Sequence, residues 1–409
     1  MNEPYDLLIS AGQVCCPHLG RSGPGTVAIC GDRIVASGPD VEGAAKEQVE
    51  FPDGLLLPGL VDLHAHPATS GSKYGVDPDV EFLPRGVTTV LSQGDAGADY
   101  WPVYRQQTIA GSRTRVRLAL NLCKHGERAD GPCFGDLDWV DVDACAAVIE
   151  EAGDLIWGVS VNVSQASCVV DPREVLRRAI EVGKRTGKPL LYGMRNPSDW
   201  PIAEQLARLR PGDVVTYIFR PGEWSIVRDG QVLPEVREAR QRGILFDACH
   251  GMQSFSFEVA EAAMADGFLP DTISTDQYNR HVGSSPQHDL PRTMSKFLAA
   301  GMPERDVLAA VTSRPAAILN LGREVGTLKP GSFADLTVLR SVKTTGPIAD
   351  CCGVFRPTCQ ASHLHPTRRP ENCVGTRANT SRQGEHGETK NGFRCRLSTG
   401  SSRSIALAN

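Results

Sequence analysis

No stretch of the 409-residue chain approaches the ~18 consecutive apolar residues that a membrane-spanning helix requires, so no membrane association is expected. A large excess of charge of one sign is missing too. The formal net charge of -5 gives no general pull toward nucleic acid or acidic membranes, and neither is expected as a partner. The opening residues, Met1 to Asp6, lack the basic and apolar regions of a signal peptide, which makes the cytoplasm the expected location. Nor is there a regular cysteine framework. Thirteen cysteines are present, yet several, such as Cys30, Cys123 and Cys249, sit in apolar strand-like runs and read as buried free thiols rather than disulfides. What the chain does have is 41% hydrophobic residues, enough for one barrel of roughly 250 residues with a smaller domain beside it.

Short apolar, β-branched runs alternate with helical patterns such as Val175 to Gly183. Eight of these runs, at 56–64, 87–93, 115–123, 156–164, 189–195, 214–220, 244–250 and 271–277, read as barrel strands. Strand alternating with helix eight times predicts a (β/α)8 barrel of the α/β class, whose active site lies at the C-terminal ends of its strands. Two earlier strands, at 6–10 and 26–30, and a later one within 326–340 fall outside that pattern and predict a separate β layer. The expected division is 1–55 and 326–340 for the small domain, 56–325 for the barrel and 341–409 for an atypical tail.

The first strand end is the most informative. Leu55 to Leu63 forms an apolar run through the Pro58–Gly59 turn and ends on His64-Ala65-His66. Residues i and i+2 of a strand face one side, so the two imidazoles can converge on one metal ion, although such a pair taken alone is more often structural. Here the chain resembles the amidohydrolase superfamily, whose metal-dependent hydrolases open on a Pro-Gly-apolar-Asp-apolar-His-x-His strand. Tyr74 to Asp79, Leu83 to Val90, Ser254 to Ala260 and Leu290 to Lys296 are similar to its dihydroorotase-like and acetyl-amino-acid deacetylase branch, over roughly residues 5–340. The resemblance implies a small flanking β-sandwich. It also implies that Asp276, at the end of strand eight, binds metal and acts as general base; on its own, Asp276 also reads as a turn or N-cap aspartate.

Departures from the family are equally specific. Ser160 stands where the related deacetylases carry a carboxylated lysine that bridges two metals, and Gly193 and Tyr217 stand where two histidines are implied. That leaves His64, His66 and Asp276, a set suited to one zinc with an open position for water. Asp95, in a Gly-Asp-Ala-Gly segment after strand two, is the candidate fourth ligand, because the related D-aminoacylases place a metal-binding cysteine there; a turn aspartate is the other reading. His250 is expected to support the site or touch substrate, with a structural histidine as the alternative. Arg195, Arg220 and Arg280 at strand C-termini could bind a carboxylate-bearing small molecule or pair with loop carboxylates. Tyr192 and Tyr217 could hydrogen-bond substrate or simply fill space. His125, His281 and His288 lie in loop-like sequence and read as solvated, with His281 the expected exception.

Beyond residue 340 the apolar alternation fades. The segment 341–409 carries ten Lys/Arg against four Asp/Glu and five irregularly spaced cysteines, Cys351, Cys352, Cys359, Cys373 and Cys395, which match no zinc module. It reads as a disordered tail, either from an altered reading frame after about Gly353 or as a basic tail for a partner. The expectation is a hydrolase of a C–N or ester bond in a small molecule, with one zinc; the alternative is a non-catalytic or diverged barrel. A homo-oligomer is compatible with either.

Overall fold

The computed structural model describes residues 4–128, 131–342, 347–357 and 363–366. Its larger sheet has eight strands: Leu60–Ala65, Val87–Gln93, Arg115–Asn121, Ile156–Asn162, Leu190–Gly193, Val214–Thr216, Leu245–Cys249 and Thr272–Ser274. Each pairs in parallel with its successor. These strands are almost wholly buried, as expected when helices cover the outer face of a parallel sheet. Helix Pro172–Thr186 illustrates the local logic. Asp171 accepts from the Arg173 amide, Pro172 occupies the first turn, Gly187 stops the helix in left-handed geometry, and Val175, Leu176, Ala179 and Val182 are buried.

The barrel closes between its first and eighth strands. The Asp276 amide donates to the His64 carbonyl at 2.7 Å and the His66 amide to the Gln277 carbonyl at 3.0 Å. Buried Asp62 adds a staple, accepting from the Thr275 hydroxyl at 2.6 Å and its amide at 3.1 Å. Closure therefore holds the two histidines and Asp276 side by side.

A separate six-stranded sheet flanks the barrel, in the spatial order His363–Pro366, Leu336–Val342, Ala45–Pro58, Tyr5–Cys16, Arg21–Cys30 and Arg33–Gly38. It has its own apolar core, including Leu7, Ile9, Val27, Ile29, Phe51 and Val338. The apolar run expected to open the barrel is divided here. Leu55 and Leu56 pair with Gln13 and Val14 on one side and with Leu339 and Val338 on the other, so the residues before Pro58 belong to the flanking sheet. Leu55 and Leu57 face the barrel core while Leu56 faces the flanking core, which makes this strand the seam between the two.

Two further strand ends differ from expectation. Strand six stops at Thr216 and strand eight at Ser274, because Tyr217 (φ 64°) and Asp276 (φ 52°) take left-handed backbone that ends the ladder and turns their side chains into the mouth. The expected loss of structure after residue 340 is corrected for the described residues there. Ile348–Ala349 pairs with Phe355–Arg356, Asp350 accepts from the Phe257 amide at 2.8 Å, and Arg356 pairs with Glu261. Cys359, Cys373 and Cys395 lie outside the described residues. The ten described cysteines are free, and Cys123 and Cys249 are buried as expected, whereas Cys30 is half-buried.

Candidate functional site

Thr216 sets the orientation of His64. Its one hydroxyl hydrogen goes to Asp247 Oδ2 at 3.0 Å, so its oxygen accepts from His64 Nδ1–H at 3.0 Å. The bare Nε2 of His64 is left facing the mouth. Asp95 does the same for His66, accepting from Nδ1–H at 3.0 Å and turning Nε2 toward the mouth on the other side of the ring. Between these two nitrogens lies Asp276 Oδ1, 3.5 Å from His64 Nε2 and 3.4 Å from His66 Nε2. Gly251 makes room for it, since a Cβ there would stand 2.9 Å from Asp276 Oδ2.

Three acceptor atoms turned toward one another repel unless a cation or proton lies among them. In the ion-free site His66 takes the proton. Burial alone would discharge the ring, but the carboxylates of Asp95 and Asp276 on either side raise it to about 10. Burial likewise opposes the charge on Asp276, yet the two imidazoles beside it, His64 and His66, hold its carboxyl well below the usual range. Two neutral imidazoles and a carboxylate form a donor set suited to one divalent ion, and these residues fit one.

Asp95, expected as a fourth ligand, sits elsewhere. It lies behind His66, with Oδ1 also taking the Ser72 hydroxyl at 2.6 Å and Oδ2 the Ser92 hydroxyl at 2.6 Å, so both oxygens are engaged away from the mouth. Asp247 is the comparable residue beneath His64, and the sequence reading passed over it. Besides Thr216, it accepts from the hydroxyls of Thr272 and Ser274, each at 2.7 Å. The alternation of strand seven, which turns Asp247 and Cys249 to one face, was the available signal. His64, Asp247 and Cys249 have ligand atoms within 4.8 Å of one another, but Asp247 is already occupied by three hydroxyls.

The opposite side of the mouth is closed. Ser160 accepts from Gln93 Nε2 at 2.8 Å. At Gly193 a Cβ would lie 2.6 Å from Asn162 Oδ1, so any side chain there requires Asn162 to move. Tyr217 reaches back across the barrel, its hydroxyl 3.1 Å from His64 Nε2.

Several expected substrate contacts are committed to the protein. Tyr192 is fully buried and donates to Gln205 Oε1 at 2.7 Å. Arg195 bonds Asp199 at 2.5 Å and the Cys168 carbonyl at 2.6 Å. His250 is buried, donates from Nδ1 to the Gly251 carbonyl at 2.5 Å and accepts from Lys296 Nζ at 2.6 Å. Arg220 bonds Ser254 at 3.0 Å and lies over the rings of Tyr217 and Trp224. Arg280 is exposed and lines an open pocket of about 790 Å³ with Lys73, Tyr74, Ala166 and Asn279. That pocket adjoins the histidines through Tyr74, whose ring is 5.1 Å from that of His66. Lys73 and Tyr74 escaped notice because neither ends a strand.

Of the loop histidines, His125 pairs with Asp99 at 3.0 Å. His288, expected in solvent, instead donates from Nε2 to the Thr275 carbonyl at 2.8 Å and stacks on His281 with ring centres 4.0 Å apart. His281 is buried, as the exception among the three.

A model of the amidohydrolase family matches residues 256–360. A deacetylase of Agrobacterium fabrum is 34% identical over 349 residues, spanning 81% of this chain and 84% of that protein. One of Enterococcus faecalis is 29% identical over 364 residues, spanning 86% and 94%. Among solved structures, an adenine deaminase superposes with a TM-score of 0.80 at 28% identity and a dihydroorotase with 0.77 at 30%, each over 88% of this chain and 96% of the other. No helix among the described residues is long and apolar enough to cross a membrane. With the histidine pair and the aspartate set at the mouth of such a barrel, and with relatives of this identity and coverage supporting a hydrolase of C–N bonds, the chain belongs to the amidohydrolase superfamily.

Proposed function

We propose that this protein hydrolyses an amide or cyclic amide bond of a small molecule, with one zinc ion held by His64, His66 and Asp276. The observation that carries the reading is the convergence of the Nε2 atoms of His64 and His66 on Asp276 Oδ1, a ligand set of the kind that binds one divalent ion. A zinc ion there would make a water molecule acidic enough to lose a proton near neutral pH. Asp276, kept ionised by the histidines, accepts a proton from the attacking water as its oxygen bonds to the carbonyl carbon. The C–N bond then breaks, and the same proton passes from Asp276 to the leaving nitrogen. Asp95 and Thr216 keep the two rings in the tautomer this requires.

Exposed Arg280, beside Asn279 at the adjoining pocket, favours a substrate that bears a carboxylate. The test is hydrolysis of a panel of N-acyl amino acids and cyclic amides by zinc-loaded protein, with Asp276→Asn as control. Turnover that Asp276→Asn leaves intact contradicts the mechanism. One observation favours a second reading, a barrel diverged from catalysis: the Tyr217 hydroxyl caps His64 Nε2 at 3.1 Å. Protein that retains no metal supports that reading.

A further inference from the structure

Tyr217 follows directly on the last residue of strand six, and its backbone is strained. A bulky side chain at φ 64° meets steric opposition, and residues held in this way gather where a fold positions a functional group. The left-handed turn sends the phenol across the barrel toward strand one. There the buried ring meets that of His64 edge-on, with centres 4.9 Å apart.

What the turn delivers is an oxygen at the spacing of a metal ligand. Around zinc, bonds of about 2.0–2.2 Å at tetrahedral angles set neighbouring ligand atoms about 3.3–3.6 Å apart. His64 Nε2 and His66 Nε2 stand 3.5 and 3.4 Å from Asp276 Oδ1, within that range. Tyr217 Oη stands 3.1 Å from His64 Nε2, and Asp276 is a hydrogen-bonding neighbour of the same phenol. Oη therefore adjoins two of the three ligand groups already described.

In the ion-free site the phenol donates its hydrogen to the unprotonated His64 Nε2. An ion bound at that nitrogen takes the acceptor away and leaves a buried hydroxyl without its partner, which is costly. Transfer of the hydrogen to solvent, with a bond from Oη to the ion, satisfies the oxygen. Burial, and then the Asp276 carboxylate, oppose a phenolate before the ion enters, so the change belongs to metal binding and not to pH. Arg220 favours the ionised ring: its guanidinium carbon lies 4.4 Å from the Tyr217 ring centre, and Ser254 holds it there at 3.0 Å.

We propose that Tyr217, bound through Oη as a phenolate, is the fourth protein ligand of the ion held by His64, His66 and Asp276. The proposal rests on the hydrolase reading above for the presence of the ion. It makes the contact that would cap His64 in a non-catalytic barrel part of the metal centre. Zinc sites expand to five ligands, so a fourth from the protein does not exclude water.

The test uses full-length protein stripped of metal and reloaded with one equivalent of copper(II) or of zinc. A phenolate on copper(II) gives a visible charge-transfer band, and Raman spectra excited in that band carry phenolate ring modes, which imidazole, carboxylate and thiolate ligands lack. The expected result is a band with these modes in the wild type and its loss in Tyr217→Phe, which keeps the ring and deletes the oxygen. Competition with a chromophoric chelator should show zinc held at least about 10-fold less tightly in Tyr217→Phe, the smallest loss typical of removing even a residue behind the ligands. Wild-type protein without phenolate modes on copper loading overturns the proposal, as does a band that survives Tyr217→Phe or an unchanged zinc affinity in that variant. Should the variant fail to fold, the wild-type Raman spectrum decides. A wild type that holds one zinc yet fails these tests refutes the role of Tyr217 and leaves the hydrolase reading standing, whereas one that holds neither metal overturns both.

Discussion

The two sides of the barrel mouth are built on the same scaffold and differ in what they can hold. On strands one and eight, His64, His66 and Asp276 point inward, and each imidazole is backed by a carboxylate, directly through Asp95 or by way of Thr216 through Asp247. On strands four, five and six, Ser160 is tied to Gln93, Gly193 is packed against Asn162, and Tyr217 turns away from its own strand toward His64. The difference is that the positions on the second side are filled by their own neighbours. With that side filled, the mouth supports the proposed single ion held by His64, His66 and Asp276.

The largest effect should come from the intact side. Changing His66→Ala removes one of two imidazole ligands and leaves Asp95 with only the Ser72 and Ser92 hydroxyls; metal retained through dialysis should fall from one ion per chain to none, as read by elemental analysis. Retention of the ion would place the metal elsewhere. Asp276→Asn should keep much of the metal yet lose at least the ~100-fold in turnover typical of removing a general base, because an amide cannot take the water's proton. Rates on a hydrolysed substrate decide this, and full turnover would remove Asp276 from the chemistry.

On the refilled side the expected effects are structural. Restoring a histidine by Gly193→His should not recruit a second ion, since it collides with Asn162; overpacking of this kind costs about 1–3 kcal/mol, visible as a lower denaturation midpoint. A stable variant that gains a metal would break the comparison. Ser160→Ala should be milder still. It removes one hydrogen bond, worth about 0.5–1.5 kcal/mol, and leaves metal content unchanged.

A pH-dependent effect comes from buried Lys296, which meets His250 at 2.6 Å. Burial and the nearby Arg292 hold Lys296 down to about 8, against its ordinary 10.5. Between those values the unfolded chain binds the proton and the folded one does not, so this group makes stability rise as pH increases from about 8 toward 10.5. Lys296→Met should flatten that rise in denaturant melts; an unchanged slope would show that Lys296 stays charged in the fold.

How much of this was legible in the sequence depended on periodicity. The order of the eight strands, the histidine pair and Asp276 could be read because strand alternation and a resemblance to known hydrolases both act over short spans. Strand ends were less legible, since Tyr217 takes left-handed backbone that its bulky side chain disfavours and Asp276, a residue that tolerates it, adopts it just beyond the strand. Leu55 to Leu57 misled for a different reason: a buried strand of a flanking sheet and a buried barrel strand have the same composition. Asp95 was expected as a metal ligand or a turn aspartate and instead stands behind His66 at Nδ1, a distinction set by ring orientation and not by spacing. Arg195, Tyr192 and His250 read as substrate contacts from their positions at strand ends, and only their partners, Asp199, Gln205 and Lys296, reveal that they are occupied.

The central claim is that one side of the mouth holds a single ion and the other holds none. The most direct test is the metal content per chain of protein purified without chelator, measured alongside Ser160→Ala and His66→Ala. The expected result is one zinc per chain in the wild type and in Ser160→Ala, and none in His66→Ala. Two ions per chain, or none in the wild type, would contradict it.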